Sequence, residues 1–289
     1  MLRKSIRRAA LGAGALALAV AVGCGCGQAR TASAAPLRPA GRGIGAAESG
    51  TAGASGTAAA SGTYVPPSKP LRYGEVGPAV KSVQRRLAQL HYYPGRVDGV
   101  YGPDTQEAAW AFREVQGLRV SVSTEAEPIT RAFEKALVHP RQPQVLIRNG
   151  PRNRVEINQN IQVLVLYRKG KPVLIAHTST GGGYYYPCPG DPGATCGPAI
   201  TPDGSYHALW FYPGWMTVPL GTMYNPVFFI DSAYAIHGDI PVPWYPVSHG
   251  CVRLWMDIAS WFHNRLSVGG TRPTPIYIRG SAPPYPDSN

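Results

Sequence analysis

The residues best suited to covalent chemistry lie in two short segments of the sequence. I-H-G-D occupies positions 236–239, and S-H-G-C-V-R occupies positions 248–253. Acyl transfer through a thioester requires a cysteine nucleophile, a histidine that takes its proton, and backbone N–H groups that stabilise the oxyanion. Cys251 is therefore the candidate nucleophile, and the backbone amides of Gly250 and Cys251 are candidates for the oxyanion hole.

Two histidines are candidates for the general base. His249 is two residues from Cys251, so a direct contact would be local and strained, whereas His237 ends an apolar stretch and can face Cys251 across the fold. Ser248 can orient one imidazole or donate to the intermediate. A lone cysteine is more often a small buried apolar residue, so the catalytic interpretation rests on the whole S-H-G-C segment.

Metal binding is a competing interpretation of the same residues. His207, His237, His249 and Cys251 lack the ligand spacing of a zinc site, and no acidic partner is obvious. We therefore expect no metal at these residues.

The cysteine content indicates which thiol is free. The chain has five cysteines, of which Cys24 and Cys26 lie near the N-terminus. Cys188 and Cys196 flank a Pro- and Gly-rich loop and can pair in an oxidising compartment. Cys251 is then left over, and catalysis is one reason for an unpaired thiol in an exported protein.

The N-terminus has the pattern of an export signal. A basic segment precedes an unbroken apolar run over 9–22, which is too short for a membrane-spanning helix. An A-S-A cleavage sequence predicts that residues 1–34 are a signal peptide and that the protein is secreted into the cell envelope. Alternatively, V-G-C resembles a lipobox, which would end the signal at residue 23 and leave Cys24 lipid-anchored outside the membrane.

The charge of the chain does not point to nucleic acid. The formal net charge is +12, and half of it comes from residues 1–63, which hold seven Lys or Arg and one Glu. A nucleic-acid surface would require a dense basic patch with interleaved aromatic residues, and the sequence has none.

The chain divides into a tether and two folded regions. Residues 35–70 are dominated by Ala, Gly, Ser, Thr and Pro, a composition that cannot bury enough apolar area to fold, and they predict a flexible tether. Residues 71–138 predict a small three-helix domain. Apolar residues recur at helical spacing over 80–90, and further helices are expected over 105–116 and 128–137.

Residues 144–280 predict a mainly β domain. Apolar or alternating segments predict strands, among them a hairpin over 161–178. The clearest helix, over 254–266, follows Cys251 closely. The N-terminus of that helix would stabilise the thiolate and lower the pKa of Cys251.

Two segments of the helical region resemble the peptidoglycan-binding module found beside many cell-wall enzymes. They are G-E-V-G-P-A-V-K-S-V-Q-R-R-L at 74–87 and V-D-G-V-Y-G-P-D-T-Q-E-A-A-W-A-F at 97–112. Gly99, Gly102 and Thr105 are also explained as turn and helix-cap residues. The resemblance implies a glycan partner without identifying the residues that bind it.

Residues 144–279 resemble the YkuD-type L,D-transpeptidases of the bacterial cell wall. The resemblance rests on H-G followed by S-H-G-C-V-R-L, on S-T-G-G at 179–182, on T-P-D-G-S-Y at 201–206 and on M-Y-N at 223–225. It implies a YkuD-like β-sandwich or barrel with one helix after the catalytic cysteine. It also implies a reaction in which tetrapeptide stems of peptidoglycan release D-Ala and form 3–3 cross-links, without a cofactor and with inhibition by carbapenems.

The resemblance assigns roles to the residues of the two segments. Cys251 would be the nucleophile and His237 the general base. Ser248 and His249 would shape the pocket, and the backbone of His249, Gly250 and Cys251 would form the oxyanion hole.

Two further residues have a substrate role and a structural alternative. Tyr224 would line the substrate path, or it only packs. Arg253 would face the substrate, or it pairs with a carboxylate such as Asp239.

The sequence departs from the simple family pattern at residues 184–198, a long insertion that contains Cys188 and Cys196. Long loops of compact domains are often lids or binding surfaces. We expect this insertion to form a wall of the substrate cleft, held by a disulfide.

Two other functions are compatible with the sequence. An L,D-carboxypeptidase would use water in place of the acceptor amine, and the shape of the acceptor site decides between the two activities. A wall-binding protein with an idle catalytic half would require a buried or disulfide-bonded Cys251.

Overall fold

The computed structural model describes residues 64–93, 95–118 and 127–284. These residues belong to one compact unit of the chain. The predicted signal peptide, Cys24 and most of the predicted tether lie outside the described residues. Among the helices of the described part, none has the length and apolar character needed to cross a membrane.

The described residues form four α-helices and twelve β-strands. The helices are α1 Pro78–Gln89, α2 Pro103–Gln116, α3 Arg131–Val138 and α4 Met256–Phe262. The strands are β1 Arg154–Asn158, β2 Val163–Arg168, β3 Lys171–His177, β4 Tyr186–Cys188, β5 Asp191–Cys196, β6 Gly204–His207, β7 Trp210–Phe211, β8 Trp215–Val218, β9 Gly221–Ile230, β10 Tyr234–Asp239, β11 Val252–Trp255 and β12 Pro275–Arg279.

The turn between α1 and α2 is held by one buried glutamine. Gln84 donates from Nε2 to Asp98 Oδ1, at 3.0 Å, and to Thr105 Oγ1, at 2.9 Å. It accepts from the backbone N–H of Gly99 at 2.8 Å. A buried amide must have partners for its donors and its acceptor, and residues of the D-G-x-Y-G-P-x-T segment supply the partners of Gln84. This segment therefore has a structural role in the chain.

The three N-terminal helices share a hydrophobic core with the first sheet. On β2, Val163, Val165 and Tyr167 belong to the core cluster of the helices, whereas Leu164 and Leu166 belong to a second core. This alternation follows from the two-residue period of a strand. One face of the sheet therefore packs against the helices, and the other face packs against the second sheet.

The β strands form two main sheets and one separate hairpin. The first sheet has the order β3-β2-β1-β12-β6, the second has the order β11-β10-β9-β7 with β8 also paired to β9, and β4 pairs with β5. The core between the sheets includes Val155 and Leu164 from the first and Val227 and Ile236 from the second, with Phe262 of α4. The predicted fold class, a mainly β domain preceded by three helices, is confirmed.

The predicted helix over 254–266 starts too early. Residues Val252–Trp255 form β11, which pairs parallel with β10. The α-helix extends over Met256–Phe262, and a 3-10 turn over His263–Arg265 continues it. The reason is that Val252 and Leu254 are fully buried while their neighbours are not, a strand pattern that the helical periodicity of the following residues obscures.

Candidate active site

Two neighbouring strands bring the candidate nucleophile and base together. His237 lies in β10, and Cys251 immediately precedes β11. The two strands are parallel, with His237 opposite Arg253 and Ile236 opposite Val252. This register places Cys251 beside Ala235, close to the start of β10.

His237 and Cys251 line one cavity of about 780 Å³. The β4–β5 hairpin, the β8–β9 hairpin, the turn before β10 and the S-H-G-C segment all contribute to its walls. The lining residues are Tyr186, Pro189, residues 218–223, residues 232–234, His237, Asp239, Ile240, Ser248, His249, Cys251 and Arg253.

The His237 imidazole is neutral and has a defined tautomer. Its Nδ1 lies 2.9 Å from the carbonyl oxygen of Gly238. Because a carbonyl only accepts, Nδ1 carries the proton, and Nε2 is left as the acceptor. Burial lowers the pKa of His237 to about 4. The side chain is therefore able to take a proton at neutral pH.

Cys251 carries a free thiol that is largely protonated at rest. Burial raises the pKa of Cys251, and the Ala235 N–H and the positive charge of Arg253 oppose this effect only in part. The expected lowering by a helix N-terminus is wrong, because the four residues of β11 separate Cys251 from α4.

The sulfur nevertheless has a backbone donor. The N–H of Ala235 lies 3.4 Å from Cys251 Sγ, which is within hydrogen-bonding range for sulfur. The pairing of β10 with β9 shifts register between Tyr234 and Ala235. Bulges of this kind redirect backbone groups and are common beside active sites. No pattern in the sequence indicated this donor.

The S-H-G-C turn is held closed by the Ser248 hydroxyl. Ser248 Oγ donates to the carbonyl oxygen of Cys251 and accepts from the N–H of Gly250 at 3.0 Å. The Gly250 amide is therefore engaged within the turn, and its predicted place in the oxyanion hole is corrected. The backbone amides of His249 and Cys251 remain as candidates.

Gly250 is required by both its backbone angle and its surroundings. Its φ is +135°, and an added Cβ would lie 2.4 Å from the Tyr234 ring and 2.8 Å from the carbonyl oxygen of Ile200. Thr201 links the turn to the neighbouring segment. Its hydroxyl donates to the Gly250 carbonyl and accepts from the N–H of Gly181, both at 2.8 Å. The S-T-G-G and T-P-D-G segments thus support the S-H-G-C turn.

Arg253 lies at the cavity wall in an ion pair. Its Nε is 2.9 Å from Asp239 Oδ2, and each side chain is about one-fifth exposed. Arg253 therefore pairs with Asp239, as the structural alternative expected, and Arg253 and Asp239 both line the cavity.

Tyr224 packs against neighbouring residues. Its ring packs against Trp215, with 5.3 Å between centroids, and its Cβ faces Gly238. The cavity is lined at this end of β9 by residues 221–223, and Tyr224 is not among the lining residues. The packing described by the alternative is present, and a role for Tyr224 on the substrate path stays a prediction.

The insertion forms a hairpin beside the cavity. Cys188 and Cys196 are joined by a disulfide across β4 and β5. Tyr186 and Pro189 of this hairpin line the cavity, and the Tyr186 ring lies 4.5 Å from the His249 ring. His249 is half-buried, and its pKa is lowered by burial and by Arg253.

No group of three His, Cys, Asp or Glu side chains among the described residues is arranged to hold a metal ion.

Two family models match the chain. The model described as the L,D-transpeptidase catalytic domain, YkuD, matches residues 152–278. A peptidoglycan binding domain model matches residues 76–121. No curated protein matches the chain at a significant level.

Solved structures of L,D-transpeptidases are similar to the chain. An L,D-transpeptidase from Xylanimonas cellulosilytica is 30% identical, with a TM-score of 0.64, over 74% of this chain and 100% of that one. One from Stackebrandtia nassauensis is 17% identical, with a TM-score of 0.41, over 74% and 98% of the two chains. The L,D-transpeptidase LdtMt1 in complex with imipenem is 23% identical, with a TM-score of 0.35, over 45% and 60%.

Proposed function

Because this chain belongs to the YkuD family of L,D-transpeptidases, we propose that it forms 3–3 cross-links in peptidoglycan by acyl transfer through Cys251. The observation that carries the proposal is the pairing of a free thiol with a buried, neutral imidazole in one cavity. Cysteine with a histidine base is the usual arrangement for chemistry through a thioester.

The first half-reaction removes D-Ala from a donor stem. His237 Nε2 takes the Cys251 proton as Sγ attacks the carbonyl carbon between the third and fourth stem residues. The carbonyl oxygen becomes an oxyanion, for which the backbone amides of His249 and Cys251 are the proposed donors. The intermediate then collapses, the C–N bond breaks, and His237 gives the proton to the departing amine of D-Ala.

The second half-reaction transfers the acyl group to a second stem. The side-chain amine of a neighbouring diamino acid attacks the thioester carbon and loses one proton to His237. The C–S bond breaks, and Cys251 recovers its proton from His237. The cysteine and histidine thus return to their neutral resting forms, and no cofactor takes part.

The resting charge state suits this sequence of proton transfers. Burial raises the pKa of the Cys251 thiol and lowers that of the His237 imidazole, so the pair rests as thiol and imidazole. The thiolate therefore forms as the substrate is attacked, and the Ala235 N–H at 3.4 Å stabilises the sulfur when it carries charge. The same contact assists sulfur as a leaving group in the second half-reaction.

The partners and location follow from the same proposal. Peptidoglycan stem peptides are the substrates, and the N-terminal helices, which match a peptidoglycan binding domain, would contact glycan. Such a protein would act outside the cytoplasmic membrane, either secreted or anchored through a lipid at Cys24. Since one similar structure holds imipenem, we also propose that carbapenems acylate Cys251.

The proposal is tested with purified disaccharide-tetrapeptide as both donor and acceptor. Products are identified by mass spectrometry for the wild type and for Cys251→Ala. We expect a cross-linked dimer and free D-Ala from the wild type and neither from the variant. Disaccharide-tripeptide without dimer would instead identify an L,D-carboxypeptidase.

The absence of any product that depends on Cys251 would reject the enzymatic proposal and favour a wall-binding protein. Carbapenem acylation is read in parallel as a mass increase on the peptide that contains Cys251.

A further inference from the structure

The hairpin formed by β4 and β5 is held by a disulfide and by backbone hydrogen bonds at its base. The disulfide joins Cys188, beside the turn, to Cys196, which pairs with Tyr186 at the base of the hairpin. At the base, the N–H of Gly183 donates to the Ala199 carbonyl, and the N–H of Ala199 donates to the Tyr184 carbonyl, both at 2.8 Å. A hairpin whose strands are joined covalently and whose base is hydrogen-bonded is a fixed wall of the cavity, in contrast to a loop that opens and closes.

The base of this hairpin is attached to the S-H-G-C turn. The N–H of Gly182 donates to the Ser248 carbonyl at 3.2 Å, and the Tyr184 hydroxyl donates to the Val247 carbonyl at 2.9 Å. An added Cβ at Gly182 would lie 2.9 Å from the Tyr184 ring and 2.8 Å from the Pro246 carbonyl oxygen. The absence of a side chain at Gly182 therefore permits the close seating of the Tyr184 ring.

Two tyrosines of this region contact the histidine beside the nucleophile. The centroids of Tyr184 and Tyr186 lie 5.6 Å and 4.5 Å from that of His249, with interplanar angles of 69° and 77°. Edge-to-face contacts of this kind are favourable and directional. The two rings thus hold the His249 side chain from two positions, next to Cys251.

Tyr186 is also part of the cavity wall. It lines the cavity with Pro189 of the same hairpin, while the β8–β9 hairpin contributes residues 218–223. The adjacent Tyr185 is 67% exposed and does not line the cavity. The hairpin therefore directs one of two consecutive tyrosines toward the cavity and the other toward solvent.

We propose that Tyr186 is a specificity-determining residue, which narrows the cavity beside Cys251 so that the thioester reacts with a peptide amine in preference to water. This inference rests on the proposed function, because it concerns the second half-reaction of the same site. Water competes with the amine for the thioester throughout its lifetime. A fixed aromatic wall reduces the access of water and offers an apolar face to the acceptor stem.

The test compares two tyrosine variants of the same hairpin. Tyr186→Ala and Tyr185→Ala are incubated with disaccharide-tetrapeptide, and the ratio of dimer to tripeptide is measured by mass spectrometry. We expect the ratio to fall about tenfold in Tyr186→Ala, the scale on which a lost apolar contact changes discrimination, and to be unchanged in Tyr185→Ala. Tyr186→Phe should retain the wild-type ratio, because the ring forms the wall.

Two results would overturn the inference. One is an equal ratio in Tyr186→Ala and Tyr185→Ala. The other is a proportional loss of both products in Tyr186→Ala, which would indicate that the side chain only stabilises the fold. The double variant Cys188→Ser/Cys196→Ser should lower the ratio in the same direction, because the wall loses the covalent link between its two strands.

A second measurement separates this inference from the proposed function. The alkylation rate of Cys251 is measured with iodoacetamide and with a bulky maleimide, and the modified peptide is identified by mass spectrometry. In Tyr186→Ala the bulky reagent should gain more in rate than the small one. If the wild type forms no dimer, the proposed function fails, and this comparison still decides whether Tyr186 narrows the cavity. Equal gains in alkylation rate for the two reagents would reject the inference that Tyr186 narrows the cavity.

Discussion

His177 and His237 are both buried histidines of β strands, but their protonation states are opposite. His177 lies at the end of β3, where Nδ1 is 2.8 Å from Glu114 Oε1 and Nε2 is 2.9 Å from the Pro243 carbonyl oxygen. Both partners accept hydrogen bonds, so both ring nitrogens donate. Burial alone would lower the pKa of His177, but the Glu114 carboxylate raises it to about 9.

His237 has one such acceptor instead of two. The Gly238 carbonyl satisfies Nδ1, Asp239 is paired with Arg253, and burial therefore dominates and lowers the pKa to about 4. The comparison shows that a carboxylate beside a buried imidazole decides its charge. With the Glu114 carboxylate as partner the ring is a charged clamp, and with only a backbone carbonyl as partner it is a neutral base.

The hydrogen bonds of His177 to Glu114 and Pro243 connect two parts of the fold, one of which carries the candidate active site. Glu114 belongs to α2, and Pro243 belongs to the loop that leads to the S-H-G-C turn. His177 therefore connects the N-terminal helices to the segment that carries Ser248 and Cys251. The Ser179 hydroxyl adds to this connection, because it donates to the Tyr245 carbonyl at 2.7 Å and accepts from the Val247 N–H at 3.0 Å.

The largest expected effect is on activity, from replacement of the neutral base. His237→Gln should lower kcat/KM for dimer formation by about 10²- to 10⁴-fold, the usual contribution of a general base. The free energy of unfolding should change little, because a neutral amide replaces a neutral ring. Product formation is measured by mass spectrometry and stability by urea denaturation.

The matched control for the base is His207→Gln, which alters an exposed histidine and should leave kcat/KM unchanged. A loss of less than tenfold in His237→Gln would assign the proton transfer to another group, with His249 as the first to examine.

The next effect is on stability, from removal of the charged partner of His177. Glu114→Gln should lower the free energy of unfolding by about 3 kcal/mol, because it leaves a buried imidazole without its counter-ion. Urea denaturation at about pH 8, where Glu114 is ionised and His177 is still protonated, measures the change, with the partly exposed Glu75→Gln as control. An unchanged urea midpoint in Glu114→Gln would show that His177 and Glu114 are both uncharged in the folded protein.

A further effect is the pH dependence of that stability. The pKa of His177 rises from 6.5 to about 9 on folding, so its contribution is complete below about pH 6.5 and is lost as the pH rises through about 9. Burial raises the pKa of Glu114 to about 7 and that of Glu107 to about 8. These carboxyls also bind more protons when folded, so their effect has the same sign.

The expected observation is therefore a free energy of unfolding that decreases from about pH 6 to about pH 9 in the wild type. The decrease should be smaller in Glu114→Gln, and the two proteins should converge at the alkaline end. A wild-type stability that increases over this range would contradict the assignment of His177 as a charged clamp.

The smallest effect concerns the charges beside the thiol. Arg253 lowers the pKa of Cys251 and Asp239 raises it, so Arg253→Gln should raise the thiol pKa and Asp239→Asn should lower it. The pH dependence of alkylation by iodoacetamide measures both shifts. Stability should change by less than about 1 kcal/mol in either variant, because the ion pair is partly exposed. Shifts in the same direction would contradict this electrostatic account.

Local features of the sequence could be predicted because their causes are local. Cys188 and Cys196 are separated by eight positions, a distance that a hairpin brings together without the rest of the fold. The α1 and α2 helices begin at Pro78 and Pro103, where proline at the first turn is favourable.

Other features could not be predicted because distant residues decide them. The strand pairing of Val252–Trp255 with β10 overrode a helical pattern in the same segment. Met223 lines the cavity while Tyr224 packs against Trp215, and that difference depends on the register of β9 with its neighbours. Sequence periodicity does not contain this register.

The sequence by itself determined the reactive residue types and the family to which the chain belongs. Tertiary structure alone decided the electrostatics of the site. It brought Glu114, 63 positions away in the sequence, into contact with His177. It paired Asp239 with Arg253, so that His237 has no free carboxylate beside it. It also placed the Ala235 N–H within hydrogen-bonding distance of Cys251 Sγ. The physical reason is that residue type sets which proton a side chain can hold, whereas burial and nearby charges set whether it holds it.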